Sequence, residues 1–545
     1  MSEPNNITRR NFLLKGAITA SVASVVGWFF LKKDKKRVIK SSLSGASFKS
    51  GHLLRGFEFP EVSSETNVNW AIVGSGISGL SAARWLQKRG ETDCIILELE
   101  SDIGGNSSAS KNALTSYPLG AHYLPIANNS DVDLIDFLHE IGVIEGFDSN
   151  RQPIYNEFYL CHDPEERLFV KGIWQEGLWP KVGLNKKELK QIDRFKLLVE
   201  ELKFKKGSDG KEIFALPLDK SSADAEFRDL DKITFAEYLF KNQFTSPALL
   251  WYADYCCRDD YGTSYKETSA WAGLHYFACR KGTSANADSE TVVTWPEGNN
   301  WLVKQFKSSL KAYVRCDTLV YKVEVENELV NIYCFSPKDR KTSKVIANKC
   351  IMAAPQFINA RLFGAKNERF EAINKHFSYS PWMVANVLVK DLPSEKQKEV
   401  CWDNVFYESE SLGYVNANHQ SLNFHQTNNT WTLYWPLSHK SPKDARLEAI
   451  NRTEEEWKKM VIKELRQSFY KIENHIEQID IWLWGHGMIR PVPGFIWGEE
   501  RQLAKKSIEN KVFFANSDLS GISIFEEAFY QGIEAAKQAL GNQNE

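Results

Sequence analysis

The chain has nine cysteines but no Cys-x-x-Cys pair, which argues against a structural zinc site or a dithiol redox centre, and no metal ligand set is expected. It has almost no net charge. With 68 basic and 70 acidic residues the balance is -2, so the broad electropositive footprint of a nucleic-acid-binding protein is absent. No internal repeat or low-complexity tract follows the first few dozen residues, which excludes a solenoid. Long apolar runs are scarce as well: the run from Gly16 to Leu31 is shorter than the roughly 20 residues of a comfortable membrane span. Apolar and aromatic mass is plentiful. Hydrophobic residues make up 43% of 545, with 17 tryptophans and 32 phenylalanines, a globular composition too long for one core. Two intertwined domains are therefore expected.

The most informative segment is Ala71-Ile72-Val73-Gly74-Ser75-Gly76-Ile77-Ser78-Gly79-Leu80-Ser81-Ala82-Ala83, a strand-like run broken by three glycines and continued by a helix-like one. At this spacing Gly74 allows a tight turn, Gly76 lets backbone N–H groups approach a pyrophosphate, and Gly79 lets the helix pack close to the sheet. Ser75 and Ser78 lie in the same turn and count among the binding candidates. The next strand closes at Glu98, an acid placed to accept hydrogen bonds from a ribose diol. Strand, turn, helix, strand and acid in this order predict a bound dinucleotide.

The stretch Leu97-Glu98-Leu99-Glu100-Ser101-Asp102-Ile103-Gly104-Gly105-Asn106 resembles the one that follows the ribose-binding glutamate in the flavin-dependent amine oxidase superfamily, which also holds phytoene desaturases, protoporphyrinogen oxidases and bacterial spermidine dehydrogenases. The resemblance implies non-covalent FAD, with Gly104 and Gly105 near its pyrophosphate. Relatives usually carry arginine after the glycine pair; Asn106 can donate to phosphate but adds no charge. Lys511 to Ala515, followed by Asn516-Ser517-Asp518 and the helix-like Phe525 to Ala536, is similar to the superfamily's closing motif. By that resemblance Asp518 contacts the ribityl–phosphate region and a helix starts under the flavin, although Glu527 stands where relatives have glycine. Tyr117 to Pro125, containing Gly120 and Ala121, is similar to the segment that crosses in front of the flavin, and Leu319-Val320 matches the place where relatives set backbone against adenine.

The resemblance implies an α/β fold in which a doubly wound, Rossmann-like FAD domain is interleaved with an α+β substrate domain, as in glutathione reductase-like flavoproteins. The expected division gives residues 1–45 to an export signal and linker. Residues 66–125, 291–365 and 475–545 form the three parts of the FAD domain, and 126–290 and 366–474 the two parts of the substrate domain. The first substrate part is expected to be a largely helical cap, the polar linker to reach about Thr66, and a helix to run from about Thr453 to Tyr470 on Val461, Leu465 and Phe469.

An amine oxidase needs few side chains: aromatic walls must place the reacting carbon, exclude water and attract a distal cation. Trp482-Leu483-Trp484-Gly485-His486-Gly487-Met488 is similar to a flavin-facing stretch of spermidine dehydrogenase-like proteins, with His122 and Tyr123 expected opposite. The catalytic candidates are thus His122, Tyr123, Trp484 and His486, the last reading either as a base or as a satisfied structural histidine. Asp254-Tyr255-Cys256-Cys257-Arg258-Asp259-Asp260-Tyr261-Gly262 has a counterpart in the same group; its acids either receive a distant ammonium or pair with Arg258. The adjacent cysteines read as small buried side chains, with a strained vicinal disulfide as the other reading.

Thr8-Arg9-Arg10-Asn11-Phe12-Leu13-Leu14-Lys15 matches the twin-arginine export pattern, and the run to Leu31 ends at Lys32, Lys33, Lys35, Lys36 and Arg37. A folded, periplasmic protein delivered by the twin-arginine translocation machinery is expected, with residues 16–31 either cleaved or kept as an inner-membrane tether. The expected activity is oxidation of an amine or polyamine. The alternatives are a desaturase or isomerase of the phytoene desaturase or protoporphyrinogen oxidase type, and a non-catalytic flavin-bearing interaction or electron-transfer protein. The electron acceptor, whether oxygen, a quinone or a carrier protein, stays open.

Overall fold

The computed structural model describes residues 38–364, 367–392, 400–421 and 428–541. The twin-arginine motif and the apolar run to Leu31 lie outside the described residues, and no helix within them is long and apolar enough to cross a membrane.

Four segments form a parallel core. The strand Val62–Val73 pairs on one side with Cys94–Leu97, which carries Tyr313–Arg315 at the edge, and on the other with Lys341–Met352. Successive residues of these strands face opposite ways. Ala71, Val73, Ile95, Leu97, Cys350 and Met352 enter one apolar core, while Trp70, Ile72, Cys94, Ile96 and Ile351 enter the other, so the strands read as continuous apolar runs covered on both faces. The helices Ile77–Lys88 and Phe525–Leu540 pack together on the second face. Lys341–Met352 serves twice on its other side. Its first half pairs antiparallel with Leu329–Ser336, which pairs in turn with Leu319–Glu326, and its second half pairs parallel with Val512–Phe514.

The second sheet has eight strands, in the order Lys40–Gly45, Ile476–Ile489, Tyr379–Val389, Asn429–Pro436, Tyr414–Asn416, Asp403–Phe406, Glu166–Val170 and Ile173–Glu176. Two expectations change here. The polar stretch up to Thr66 is not a linker throughout: Lys40–Gly45 pairs parallel with Ile476–Ile489, and the first core strand begins at Val62. An edge strand held by backbone pairing, with Leu43 as its one large apolar residue, gives almost no hydrophobic signal. The cap is also not helical throughout: after the helix Val132–Glu140 it runs through four short strands before its longer helices. Glu166–Val170 and Ile173–Glu176 form a hairpin through Lys171 and Gly172, both at positive φ, and helices dominate from Lys186 to Ala278.

The expected helix at Thr453 is present but ends at Leu465, four residues before Phe469, which still packs into the same core. A reciprocal cap starts it: Thr453 Oγ1 accepts the Glu456 N–H, and Glu456 accepts the Thr453 N–H at 2.8 Å. Thr453→Ala is expected to lower stability by about 1 kcal/mol, seen as a lower urea midpoint in tryptophan fluorescence.

Candidate cofactor and substrate site

The two glycine turns meet at the carboxyl end of the parallel sheet, beside the start of the helix Ile77–Lys88. Gly74 N–H donates to the Leu97 carbonyl at 2.8 Å, and Gly104 N–H donates to the Ser75 carbonyl at 3.0 Å. A Cβ at Gly79 would overlap the Gly74 carbonyl oxygen, which explains why that position must be bare. A Cβ at Gly76 would meet no protein atom within 4 Å; this is the open side of the turn, where helix N–H groups and dipole favour an anion. Gly105, at φ 56°, lies against Gly76, with 3.3 Å between its Cβ position and the Gly76 Cα. Glu98 Oε2 accepts the Ser75 N–H at 2.8 Å and the Ser75 hydroxyl at 2.5 Å, while Oε1 accepts the Glu100 N–H at 2.9 Å. Desolvation raises its pKa against these bonds. Leu319 and Val320 open the strand that begins next to Glu98, whose carbonyl accepts the Thr318 N–H at 2.8 Å.

Three expected binding residues face elsewhere. The Asn106 side-chain amide donates to the Gly487 carbonyl at 2.6 Å, and its backbone carbonyl accepts the Ala121 N–H at 2.9 Å. Asn106 thus ties the glycine loop to the Gly120-Ala121 segment instead of offering its amide to a phosphate. Gly120 is bare because a Cβ there would overlap the Asn106 carbonyl. Asp518 is 3% exposed; its Oδ2 accepts the Gln356 N–H at 2.9 Å and the Tyr379 hydroxyl at 2.6 Å, and burial pushes its pKa up to about 6. The partly exposed residues of that turn are Asn516 and Ser517. Ser78 is buried where its helix crosses Phe525–Leu540, and a Cβ at Gly532 would overlap the Ser78 carbonyl. That close crossing left no motif in the sequence.

At the start of Phe525–Leu540 no side chain caps the helix, and both Glu526 and Glu527 are buried, with pKa values pushed up to about 7 by desolvation. Glu527, the residue that departs from the expected glycine, accepts the Leu218 N–H at 2.6 Å and binds the Ser520 hydroxyl. Its carboxyl group is therefore tied into the cap side, and Ser523 and Ile524 keep partial exposure at the helix start.

From Gly120 the chain enters an aromatic corner. The His122 ring stacks on Tyr434 at 4.5 Å and 24°, with Tyr123 at 5.0 Å and Trp402 at 5.6 Å from it. Tyr434 fixes the corner by donating its hydroxyl to the Gly120 carbonyl at 2.9 Å. Trp484 reaches the same segment from another strand of the sheet that carries Tyr434, with Nε1 donating to the Leu119 carbonyl at 2.7 Å. His486 does not join it. That ring stacks on Phe357 at 4.2 Å and stands 5.9 Å from Tyr379. Burial lowers the pKa of both histidines to about 3, so each is neutral at ordinary pH and a weak base.

The acids near this corner come from two elements. On the helix Pro247–Tyr261, Arg258 pairs with Asp254 at 2.9 Å, and Asp260 pairs with Arg280 at 3.1 Å. Asp259 makes no ion pair among the described residues. It lies deep in the fold yet keeps part of its surface free, and burial followed by repulsion from Asp260 pushes its pKa up to about 7. Asp403 starts the strand Asp403–Phe406, is bonded by Tyr255, and is raised well above the carboxylate range by burial, then by Glu166 and Asp259. Tyr434 lies within the electrostatic reach of both carboxyl groups. Asp403, Tyr434 and Trp402 had no motif to mark them, because each stands in or beside an ordinary strand. The adjacent Cys256 and Cys257 are fully buried free thiols behind this wall.

The family model for flavin-containing amine oxidoreductases matches residues 77–540. Polyamine oxidase 7 from Oryza sativa subsp. japonica is 34% identical over 101 residues, which cover 16% of this chain and 20% of that protein. The match therefore spans about a fifth of the relative's length. Among solved structures, a wild-type putrescine oxidase bound to putrescine shares a TM-score of 0.67 at 16% identity, over 88% of this chain and 100% of that one. Cyclohexylamine oxidase from Brevibacterium oxydans IH-35A gives 0.62 at 14% identity over the same shares. A CLA-producing fatty acid isomerase from P. acnes gives 0.58 at 16% identity, over 86% and 97%. At these identities the likeness is one of fold.

Proposed function

The chain belongs to the flavin-containing amine oxidoreductase family, and from that membership we propose an FAD-dependent enzyme that oxidises an amine or polyamine. The glycine turns and Glu98 fit FAD: one face of the cradle is open at Gly76, and the acid stands beside it. Bound there without a covalent link, the flavin would supply a two-electron acceptor for a hydride from the carbon next to the amine nitrogen. His122, Tyr123, Trp402 and Tyr434 form a wall that excludes water and favours the uncharged reacting amine, since desolvation disfavours the ammonium form. Asp259 and Asp403 would hold the distal ammonium of a diamine or polyamine, with tyrosines alongside to attract the same cation. Water then hydrolyses the imine product to an aldehyde and releases the nitrogen as ammonia from a primary amine or as a shorter amine from a secondary one.

The observation that carries this reading is the pair Asp259 and Asp403 in a tyrosine-rich interior. A desaturase or fatty acid isomerase needs a greasy wall, and two inward carboxyl groups oppose it. The twin-arginine motif at Arg9-Arg10 supports export to the periplasm of a protein already folded around FAD. Anaerobic titration of the purified yellow protein tests the activity. Putrescine or spermidine is expected to bleach the flavin absorbance. If a polyisoprenoid bleaches it, or a polyunsaturated fatty acid is isomerised, while the amines leave the flavin oxidised, the desaturase or isomerase reading replaces this one.

A further inference from the structure

The cradle lacks positive charge where a diphosphate requires it. Neither Gly74–Gly79 nor Gly104–Ser108 contains a lysine or arginine, and the Asn106 amide is committed to Gly487. On the far side of Gly487 the structure gathers cations from separate segments. Arg446, from the helix Pro442–Asn451, brings its Cδ within 3.8 Å of the Cβ position at Gly485 and donates Nη1 to the Tyr379 carbonyl at 3.0 Å. Arg361 lies in the last turn of the short helix Gln356–Leu362, whose Phe357 stacks on His486. Arg55 and His52 come from the turn His52–Arg55.

That turn is held against the cofactor loop. The Ser47 N–H and hydroxyl each donate to Glu100 at 2.8 Å, and the Gly51 Cβ position lies 3.8 Å from Leu99, so both anchors sit directly after Glu98. All three arginines lie close enough to His486 to press its ring toward the neutral form, and burial with Arg55 and Arg361 lowers the pKa of His52 in the same way. Arg55, Arg361 and Arg446 form no ion pair with a carboxylate among the described residues, whereas the neighbouring Arg490 pairs with Glu267 at 2.9 Å. Like charges gathered without a counter-charge repel, and an anion between them relieves the repulsion while accepting charge-assisted hydrogen bonds.

We propose that Arg55, Arg361 and Arg446, grouped round His486 beside the Asn106–Gly487 contact, form the cationic wall for the cofactor's diphosphate, supplying from outside the glycine loop the charge that Asn106 does not. This rests on the FAD reading above. Arg55 and Arg361 are exposed, so Arg55→Gln with Arg361→Gln leaves the core untouched. The test measures flavin release from the purified holoprotein in rising salt, and competition by ADP and AMP during FAD rebinding. The double variant is expected to release FAD at lower salt and to show a dissociation constant raised about tenfold or more. ADP should outcompete AMP clearly in the unaltered protein, and that preference should shrink in the variant. A control pair on exposed helix surface, Lys375→Gln with Lys459→Gln, is expected to change neither reading. Equal retention and an unchanged ADP preference in the arginine variant overturn the proposal while leaving the FAD reading intact. A protein that binds neither FAD nor ADP overturns both.

Discussion

Asp259→Asn is expected to lower kcat/KM for a diamine by about 100-fold, near 3 kcal/mol, because it removes one of the two buried carboxyl groups that hold the distal ammonium. A monoamine with no second nitrogen should lose less than about tenfold, and the flavin spectrum should not change. Steady-state kinetics on a matched mono- and diamine pair decides it: equal losses on both substrates would remove Asp259 from the specificity wall. The pH profile carries a second signature. Burial and Asp260 place the Asp259 carboxyl near 7, so the anion that attracts the ammonium is present above that pH and is lost as pH falls through it. For a diamine, kcat/KM is therefore expected to rise between about pH 6 and 8, and this inflection should disappear in Asp259→Asn.

The glycine turn supplies a sharper contrast. Gly79→Ala forces a methyl onto the Gly74 carbonyl oxygen, which is backbone and cannot rotate away. The helix must lift off the sheet, at a cost of about 3 kcal/mol or more, and the variant is expected to accumulate poorly and without flavin. Gly76→Ala meets no protein atom within 4 Å, so the polypeptide is expected to fold with unchanged circular dichroism and melting temperature in its cofactor-free form. Its added methyl instead enters the space kept for the ligand and should weaken FAD binding by about 100-fold. Apoprotein thermal melts and FAD titration separate the two outcomes. Loss of folding at Gly76, or normal FAD affinity there, would show that the open side of the turn is not the phosphate side.

Much of this was legible in the chain because backbone requirements leave strong marks. Gly74, Gly76 and Gly79 are dictated by a strand that turns under a helix, and Glu98 by its place at the end of the next strand. What the sequence hid was side-chain direction. Asn106 and Asp518 occupy the expected turns, but each has a nearer partner: Gly487 for one, Tyr379 and the Gln356 N–H for the other. Spacing alone does not show which way a short polar side chain rotates. His486 shares a strand with Trp484 but lies next to Phe357, so the two separate despite their adjacency in sequence. Asp403 and Tyr434 were silent for a different reason: alternating strands always carry polar and aromatic residues, and only tertiary pairing shows which of them line an interior.

The shared strand Lys341–Met352 sets a timetable. Just beyond it, Ala353 N–H donates to the Val73 carbonyl at 2.8 Å, and the Ala353 carbonyl accepts the Asn516 side-chain amide at 3.0 Å, so segments from near the start and near the finish of the chain close on one residue. A ribosome that has released only the first four hundred residues has made the glycine turn but not the helix that covers it. Loading of the prosthetic group must then wait until the helix Phe525–Leu540 has been made, and a frameshift that removes this helix should leave the product colourless even though the nucleotide fingerprint is intact.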